Sequence, residues 1–192
     1  MIYRILVIAA LIGLTIFYSV YQSQSLESKL VSETTQAPIL KVLPVTSFTS
    51  LKNEHFDLAK FYQDEKVELL FVHFWGTWCG PCEAELPELL HFIKNFENRP
   101  GIKFLLVAVN DEARLVEKKL RALPVPKMGN LYWLLDNTNS HRDAFGTTRV
   151  PETFVFSSDK TTLRKFLGPQ EWNKDLFLQI LDEFHQSSLH RL

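Results

Sequence analysis

The chain has 192 residues, room for one ordinary domain with appendages, and its 46% hydrophobic content is enough to bury a full core. Its 21 basic and 22 acidic residues are interspersed and leave a formal net charge of −1, so it carries no electrostatic footprint for nucleic acid. The two cysteines lie three positions apart, which excludes a disulfide-dense scaffold and a four-cysteine zinc module.

The first element is an uncharged run of 17 residues, Ile5 to Tyr21, following Arg4. This is the lower edge of the roughly 17–25 residues that a spanning helix needs. A cleaved signal peptide has a shorter apolar core and small residues at its cleavage site. Here Tyr18 and Tyr21 stand where small residues would serve cleavage, and no cysteine is nearby to accept lipid. Residues 1–21 are therefore expected to be an uncleaved single-pass anchor rather than a cleaved signal. With Arg4 and the amino terminus inside, the body lies on the periplasmic, extracytoplasmic side of the cytoplasmic membrane. A buried core helix is the weaker alternative for a segment apolar all round. Residues 22–38 are too polar to fold alone and form a linker reaching roughly 20–25 Å.

A folded domain is expected over 39–186, with a tail at 187–192. Ile39–Leu43 and Val45–Phe48 have the pattern of short edge strands, and Leu51–Tyr62 that of a short amphipathic connection. Val67–Trp75 is nearly continuous apolar sequence, the mark of a central strand buried on both faces. Leu86, Leu89, Leu90, Ile93 and Phe96 then recur at helical spacing. Ile102–Val109 is a second buried strand, and Asp111–Leu123 a helix stopped by Pro124 and Pro126. Leu131–Leu135 is a third apolar run, followed by a brief helical turn at Asp143–Gly146. Thr153–Phe156 and Thr162–Leu167 flank a turn and predict a hairpin. A last helix from Glu171 carries Trp172, Leu176, Phe177, Ile180, Leu181 and Phe184 inward. Parallel βαβ units followed by a hairpin and helix make an α/β fold, a mixed central sheet flanked by helices.

Cys79-Gly-Pro-Cys82 falls between the first buried strand and its helix. Disulfide exchange needs a thiolate, and a free cysteine is mostly thiol at neutral pH. At a helix N-terminus Cys79 meets unpaired N–H groups and the positive end of the dipole, where thiols ionise at roughly 3.5–7.5. Cys82, one turn on, is close enough to resolve a mixed disulfide. Pro81 lies in the first turn, where its missing N–H costs nothing. The alternatives are an inert structural disulfide, which would gain little from so small a loop, and half of a metal site, whose other ligands the sequence does not supply.

Phe74-Trp-Gly-Thr-Trp-Cys-Gly-Pro-Cys-Glu-Ala-Glu-Leu-Pro87 resembles the active-site segment of the thioredoxin superfamily, and more narrowly its exported, membrane-anchored TlpA/ResA/DsbE branch. The match covers about residues 39–186. Pro87 stands where thioredoxins carry a helix-kinking proline, and Val150-Pro151-Glu-Thr-Phe154 is similar to the family's cis-proline loop. The resemblance implies a thioredoxin-like fold and no cofactor beyond the redox-active Cys79–Cys82 pair. It also implies a client-docking surface formed by Trp78, Gly80, Pro81, Val150, Pro151 and Glu152, the Val150 backbone pairing with substrate like an added strand. Glu85 occupies the place where the reductase branch sets an acid under the cysteines, able to relay the Cys82 proton; the alternative is a solvated glutamate like Glu83 or Glu88.

His73 departs from the family, which carries aspartate or asparagine there. Two readings stand: an imidazole that relays protons or lowers the thiol pKa as a cation, and a hydrogen-bonded core histidine. His55, His91, His141, His185 and His190 are scattered and expected at the surface. Trp75 is expected to pack near the motif, Trp78 to cap the cysteines, and Trp133 and Trp172 to lie in the core. No metal site is expected.

The leading expectation is a reductase that passes electrons from a membrane thiol donor to oxidised exported proteins, apocytochrome c among the possible clients. The Cys-Gly-Pro-Cys form is closer to reducing thioredoxins than to strong oxidants. Competing readings are a disulfide oxidase, an isomerase (which lacks a dimerisation domain here), and a non-catalytic adaptor presenting clients to a membrane complex. Retention of both cysteines speaks against the adaptor. A peroxidase fits less well, because its cysteine sits in a different loop context.

Overall fold

The computed structural model describes residues 40–123 and 128–172, with residues 3, 4, 13–15, 18, 175, 178 and 182. The chain divides into two units, 1–38 and 39–192. In the first, the few described residues are helical and exposed. Among the described residues no helix is long and apolar enough to cross a membrane. The expected anchor lies almost wholly, and the linker wholly, outside the described residues, as do Pro124, Pro126 and most of the expected last helix.

The second unit is built on a seven-stranded sheet ordered β2-β1-β5-β4-β3-β6-β7. Its strands are β1 Ser47–Ser50, β2 His55–Asp57, β3 Leu69–Trp75, β4 Ile102–Val109, β5 Leu131–Asp136, β6 Glu152–Ser157 and β7 Thr162–Leu167. Four helices are described: α1 Leu58–Asp64, α2 Gly80–Lys94, α3 Ala113–Ala122 and α4 Ser140–Asp143. β3, β4 and β5 are parallel, joined by α2 and α3, while β1, β6 and β7 run antiparallel to their neighbours. This is the expected thioredoxin-like α/β fold with a mixed sheet.

Because side chains alternate along a strand, two cores form, one on each side of the sheet. Leu69, Phe71 and Trp75 of β3 join Phe104 and Leu106 of β4, Leu86, Leu89 and Ile93 of α2, and Val116 of α3. Leu70, Val72 and Phe74 face the other way, with Leu58 and Phe61 of α1 and Phe145. Every residue of β3 and of β4 is buried, which explains their nearly unbroken apolar sequence. Phe104 stacks on Phe71 with centroids 4.6 Å apart and meets Phe92 edge-on at 6.2 Å.

Several local expectations are corrected. Within the expected 39–48 strands, Val42 makes only an isolated bridge to Thr161, Val45 is exposed, and β1 begins at Ser47. The expected 51–62 connection holds a strand and a helix: β2 pairs with β1, and the Asp57 carboxylate caps α1 by accepting from Lys60 N at 2.8 Å. The turn expected at 143–146 comes earlier, as α4. Trp133 is half-buried rather than core, because it lies near the start of β5, packed edge-on against Trp75.

His141 was expected at the surface and is buried. Its backbone N and Nδ1 both lie 2.6 Å from Asp136 Oδ2, and Asp136 Oδ1 accepts from Thr138 N, Thr138 Oγ1 and Ser140 N. A carboxylate at the end of β5 thus organises the whole turn into α4. Burial pushes the Asp136 carboxyl up, but the hydrogen bonds from His141, Ser140 and Thr138 outweigh it and leave it below its ordinary value.

Two stability predictions result. Phe104→Ala should cost about 3–5 kcal/mol in denaturant unfolding, because its aromatic neighbours Phe71, Phe92 and Phe96 cannot collapse into the space. A carboxyl depressed in the folded state stabilises fully above its unfolded pKa, and that contribution is lost as pH falls through the folded value. Asp136→Asn should therefore lower stability at neutral pH by roughly 2 kcal/mol. The gap to wild type should narrow in acid, as read from unfolding midpoints against pH.

Candidate active site

β3 delivers the chain out of the sheet at Trp75, and Gly76–Trp78 turn it into α2. A Cβ on Gly76 would lie 2.7 Å from the Trp78 ring, so only glycine lets the indole fold back there. Trp78 Nε1 donates to Val109 O at 3.1 Å, while the ring stays 59% exposed beside the motif. The turn is tied from the neighbouring strand: Asp111, just past β4, accepts from Thr77 N at 2.6 Å and from Thr77 Oγ1 at 2.9 Å.

Cys79 is the N-cap of α2, and its Sγ accepts from Cys82 N at 3.3 Å. The two cysteines form a disulfide, S–S 2.07 Å. Cys79 keeps 6% of its surface exposed and Cys82 only 1%, so an incoming partner meets Cys79. Gly80 and Pro81 are exposed at the start of the helix. The Val150–Pro151 peptide is cis, and Val150 O lies 3.8 Å from Cys79 Sγ. The structure thus sets the cis Val150–Pro151 peptide beside Cys79, at the turn that carries Trp78, Gly80 and Pro81.

Glu152 does not join them. Expected to face a partner, it is 1% exposed and turned inward. As the first residue of β6 it points to the sheet face shared by Phe154 and Phe156, where Lys165 Nζ of β7 sits 2.8 Å from Glu152 Oε1 and 4.9 Å from the Phe154 ring centre. Strand alternation along β6 sets Glu152 on that face with Phe154 and Phe156, away from the α2 side that carries the cysteines.

Beneath the disulfide, on the α2 side of the sheet, lie His73 and Glu85, both buried. His73 Nδ1 is 2.9 Å from Thr153 Oγ1, its register partner on β6. His73 Nε2 and Glu85 Oε1 face each other at 3.6 Å, and neither atom has a hydrogen-bond partner. Glu85 Oε2 accepts from Gln170 N at 2.9 Å and Trp172 Nε1 at 3.0 Å. Burial lowers the His73 pKa to about 3, so the imidazole is neutral at physiological pH and the cationic reading falls away. Burial raises the Glu85 carboxyl; the Gln170 and Trp172 bonds oppose this, and Glu88 adds to it. Glu85 is therefore unlike exposed Glu88 or Glu83, which pairs with Lys119 at 2.5 Å.

Sequence reasoning missed Asp111, Thr153, Gln170 and the indole N–H of Trp172. Asp111 carried a signal, since it follows a buried strand parallel to the one bearing the motif. Thr153 and Trp172 carried none, because their roles depend on register and on the return of the chain after β7. Among the described residues no three His, Cys, Asp or Glu side chains converge as a metal site.

Comparison with known proteins agrees with this geometry. The Redoxin family model matches residues 39–180. The thiol-disulfide oxidoreductase ResA of Bacillus subtilis is 26% identical over 164 residues, 85% of this chain and 81% of that protein. ResA of Geobacillus kaustophilus is 25% identical over 155 residues, covering 81% and 78%. Among solved structures, a thiol:disulfide interchange protein of Chlorobium tepidum superposes with a TM-score of 0.57 at 20% identity, covering 78% of this chain and 96% of that one. StoA of Bacillus subtilis gives 0.55 at 19%, covering 74% and 98%. These structural likenesses show the fold alone. The chain belongs to the Redoxin family, and the Cys79–Cys82 pair together with the similarity to the ResA proteins makes it a thiol–disulfide oxidoreductase.

Proposed function

We propose that this enzyme works as a reductase of disulfides in exported proteins, apocytochrome c among its clients, tethered to the cytoplasmic membrane by residues 1–21 with its domain on the extracytoplasmic side. Cys79 is the nucleophile. Its thiolate, stabilised at the helix N-terminus, attacks the client disulfide, forming a mixed disulfide and releasing one client thiolate. Cys82 gives its proton to the Glu85 carboxylate and attacks Cys79 Sγ, which frees the second client thiolate and leaves the Cys79–Cys82 disulfide. A membrane thiol donor returns two electrons to restore the dithiol.

The observation that carries this is the unequal burial of the two sulfurs at the head of α2. Cys79 touches the surface between Trp78 and the cis-proline loop, and Cys82 is enclosed on the same helix face as buried Glu85. The half-buried Val150 offers a backbone edge beside Cys79 for an extended client segment. The Gly80-Pro81 dipeptide between the cysteines, closer to the form of reducing thioredoxins than to that of strong oxidants, supports the reducing direction. The uncharged Ile5–Tyr21 run supports the tether.

The full-length protein equilibrated against glutathione and dithiothreitol buffers should show a reduction potential below roughly −220 mV. A value near the roughly −120 mV of a strong oxidant would reverse the direction and make the protein a disulfide donor. Cys82→Ser should accumulate a mixed disulfide with a model client, visible by non-reducing electrophoresis, whereas Cys79→Ser should form none. Trapping through Cys82 in place of Cys79 would exchange their roles.

A further inference from the structure

Glu85 is held in an asymmetric way. Both hydrogen bonds it receives, from Gln170 N at 2.9 Å and Trp172 Nε1 at 3.0 Å, fall on Oε2. Oε1 is buried without a hydrogen-bond partner and faces His73 Nε2 at 3.6 Å. Two N–H donors cannot also accept, so Oε2 is committed as an acceptor in both ionisation states. A proton taken up by the carboxyl must therefore reside on Oε1. Both donors come from the segment after β7, three residues from Gln170 to Trp172, which otherwise has no part in the active site.

We infer that Trp172, with the Gln170 backbone, is a positioning residue for disulfide exchange: it pins Glu85 Oε2 and leaves Oε1 as the oxygen that takes and returns the Cys82 proton. This rests on the reading of Glu85 as the partner of Cys82. The Trp172 ring is 1% exposed and braced by Phe92 at 5.4 Å, Phe166 at 6.3 Å and His73 edge-on at 6.1 Å, so its N–H is aimed by packing on three sides. Gln170 is braced in turn, its Nε2 donating to Leu167 O and Gly168 O. Donors to a carboxylate favour its charged form, so the pair keeps Glu85 available as a base despite its burial.

α2 carries Cys82, exposed Glu88, and Glu83 bound to Lys119 of α3. β3 carries neutral His73, β4 the apolar Leu106 in register with it, and β6 uncharged Thr153. From β7 the Arg164 guanidinium lies 5.8 Å from the Phe166 ring, and Glu171, between the two donors, is exposed. None of these donates a hydrogen bond to Oε2 in place of the indole.

Trp172→Phe removes the N–H and keeps an aromatic ring. A second variant carrying 3-benzothienylalanine at position 172 keeps the bicyclic shape and removes only the donor. In the full-length reduced protein, the Glu85 carboxyl is followed by carbon NMR against pH, identified by its absence in Glu85→Gln. Both variants should raise its midpoint by roughly half to one pH unit. The acid limb of the mixed-disulfide resolution rate should move up by the same amount, since the base form then appears at higher pH. An unchanged Glu85 midpoint in the benzothienyl variant overturns the inference. A midpoint that moves while the resolution profile stays in place supports the pinning of Oε2 by Trp172, and the failure then belongs to the reading of Glu85 as the partner of Cys82.

Discussion

The constraint on which the rest depends is that β3 must be buried on both faces and yet end at the surface with a reactive sulfur. Its seven residues are wholly enclosed between two cores, and four residues after Trp75 the chain reaches Cys79. Such a strand has no freedom to shift register, because a one-residue slip would send each side chain to the wrong core. The sulfur inherits that rigidity. Asp111, just past the end of the adjacent strand, completes it by accepting from both polar groups of Thr77, so the turn that lifts the motif out of the sheet is fastened to the loop after β4 rather than left to its own sequence.

Against this apolar background the polar groups under the disulfide stand out. A buried carboxyl and a buried imidazole cost free energy unless their hydrogen bonds are met. Here they are met on the outer sides only: Thr153 serves His73 Nδ1, and the Gln170–Trp172 segment serves Glu85 Oε2. The inner atoms, Nε2 and Oε1, face each other beyond hydrogen-bond range. Fully satisfied networks hold structure, whereas a pair left open beside a redox centre has capacity for a proton. The neutrality of His73 follows from the same burial, so any influence it has on the cysteines comes through its hydrogen bonds rather than its charge.

The two sheet faces divide labour. The α2 face carries Cys79, Cys82, Glu85, His73 and Trp172; the opposite face takes Glu152, Lys165 and the Asp136–His141 pair. On that second face ionisable groups are matched at 2.6–2.8 Å and serve the frame of the cis-proline region. Thr147 N donates to His141 O, linking the Asp136-organised turn to the residues that lead into Val150. The position of the cis-proline loop thus depends on a carboxylate some fifteen residues upstream.

Local sequence determined much of this protein. The double-faced burial of β3 and β4 is written in unbroken apolar runs, the helix register of α2 in its leucines, and the redox pair in a spacing that only a helix start makes useful. Short and weakly patterned elements were less legible: β1 and β2 are set by pairing with each other and with β5, and α1 by a single aspartate cap. What only the tertiary structure decided was partnership. Glu152 follows the cis-proline directly in sequence yet is turned inward to Lys165; His141 is polar and isolated in sequence but buried because its backbone N–H and Nδ1 both meet the buried Asp136 carboxylate. Trp172 read as bulk until the return of the chain after β7 brought its N–H to Glu85. Periodicity records which side of an element meets the core, a property of neighbours along the chain. Hydrogen bonds between residues eighty or more positions apart depend on strand register and crossover, which no local pattern encodes.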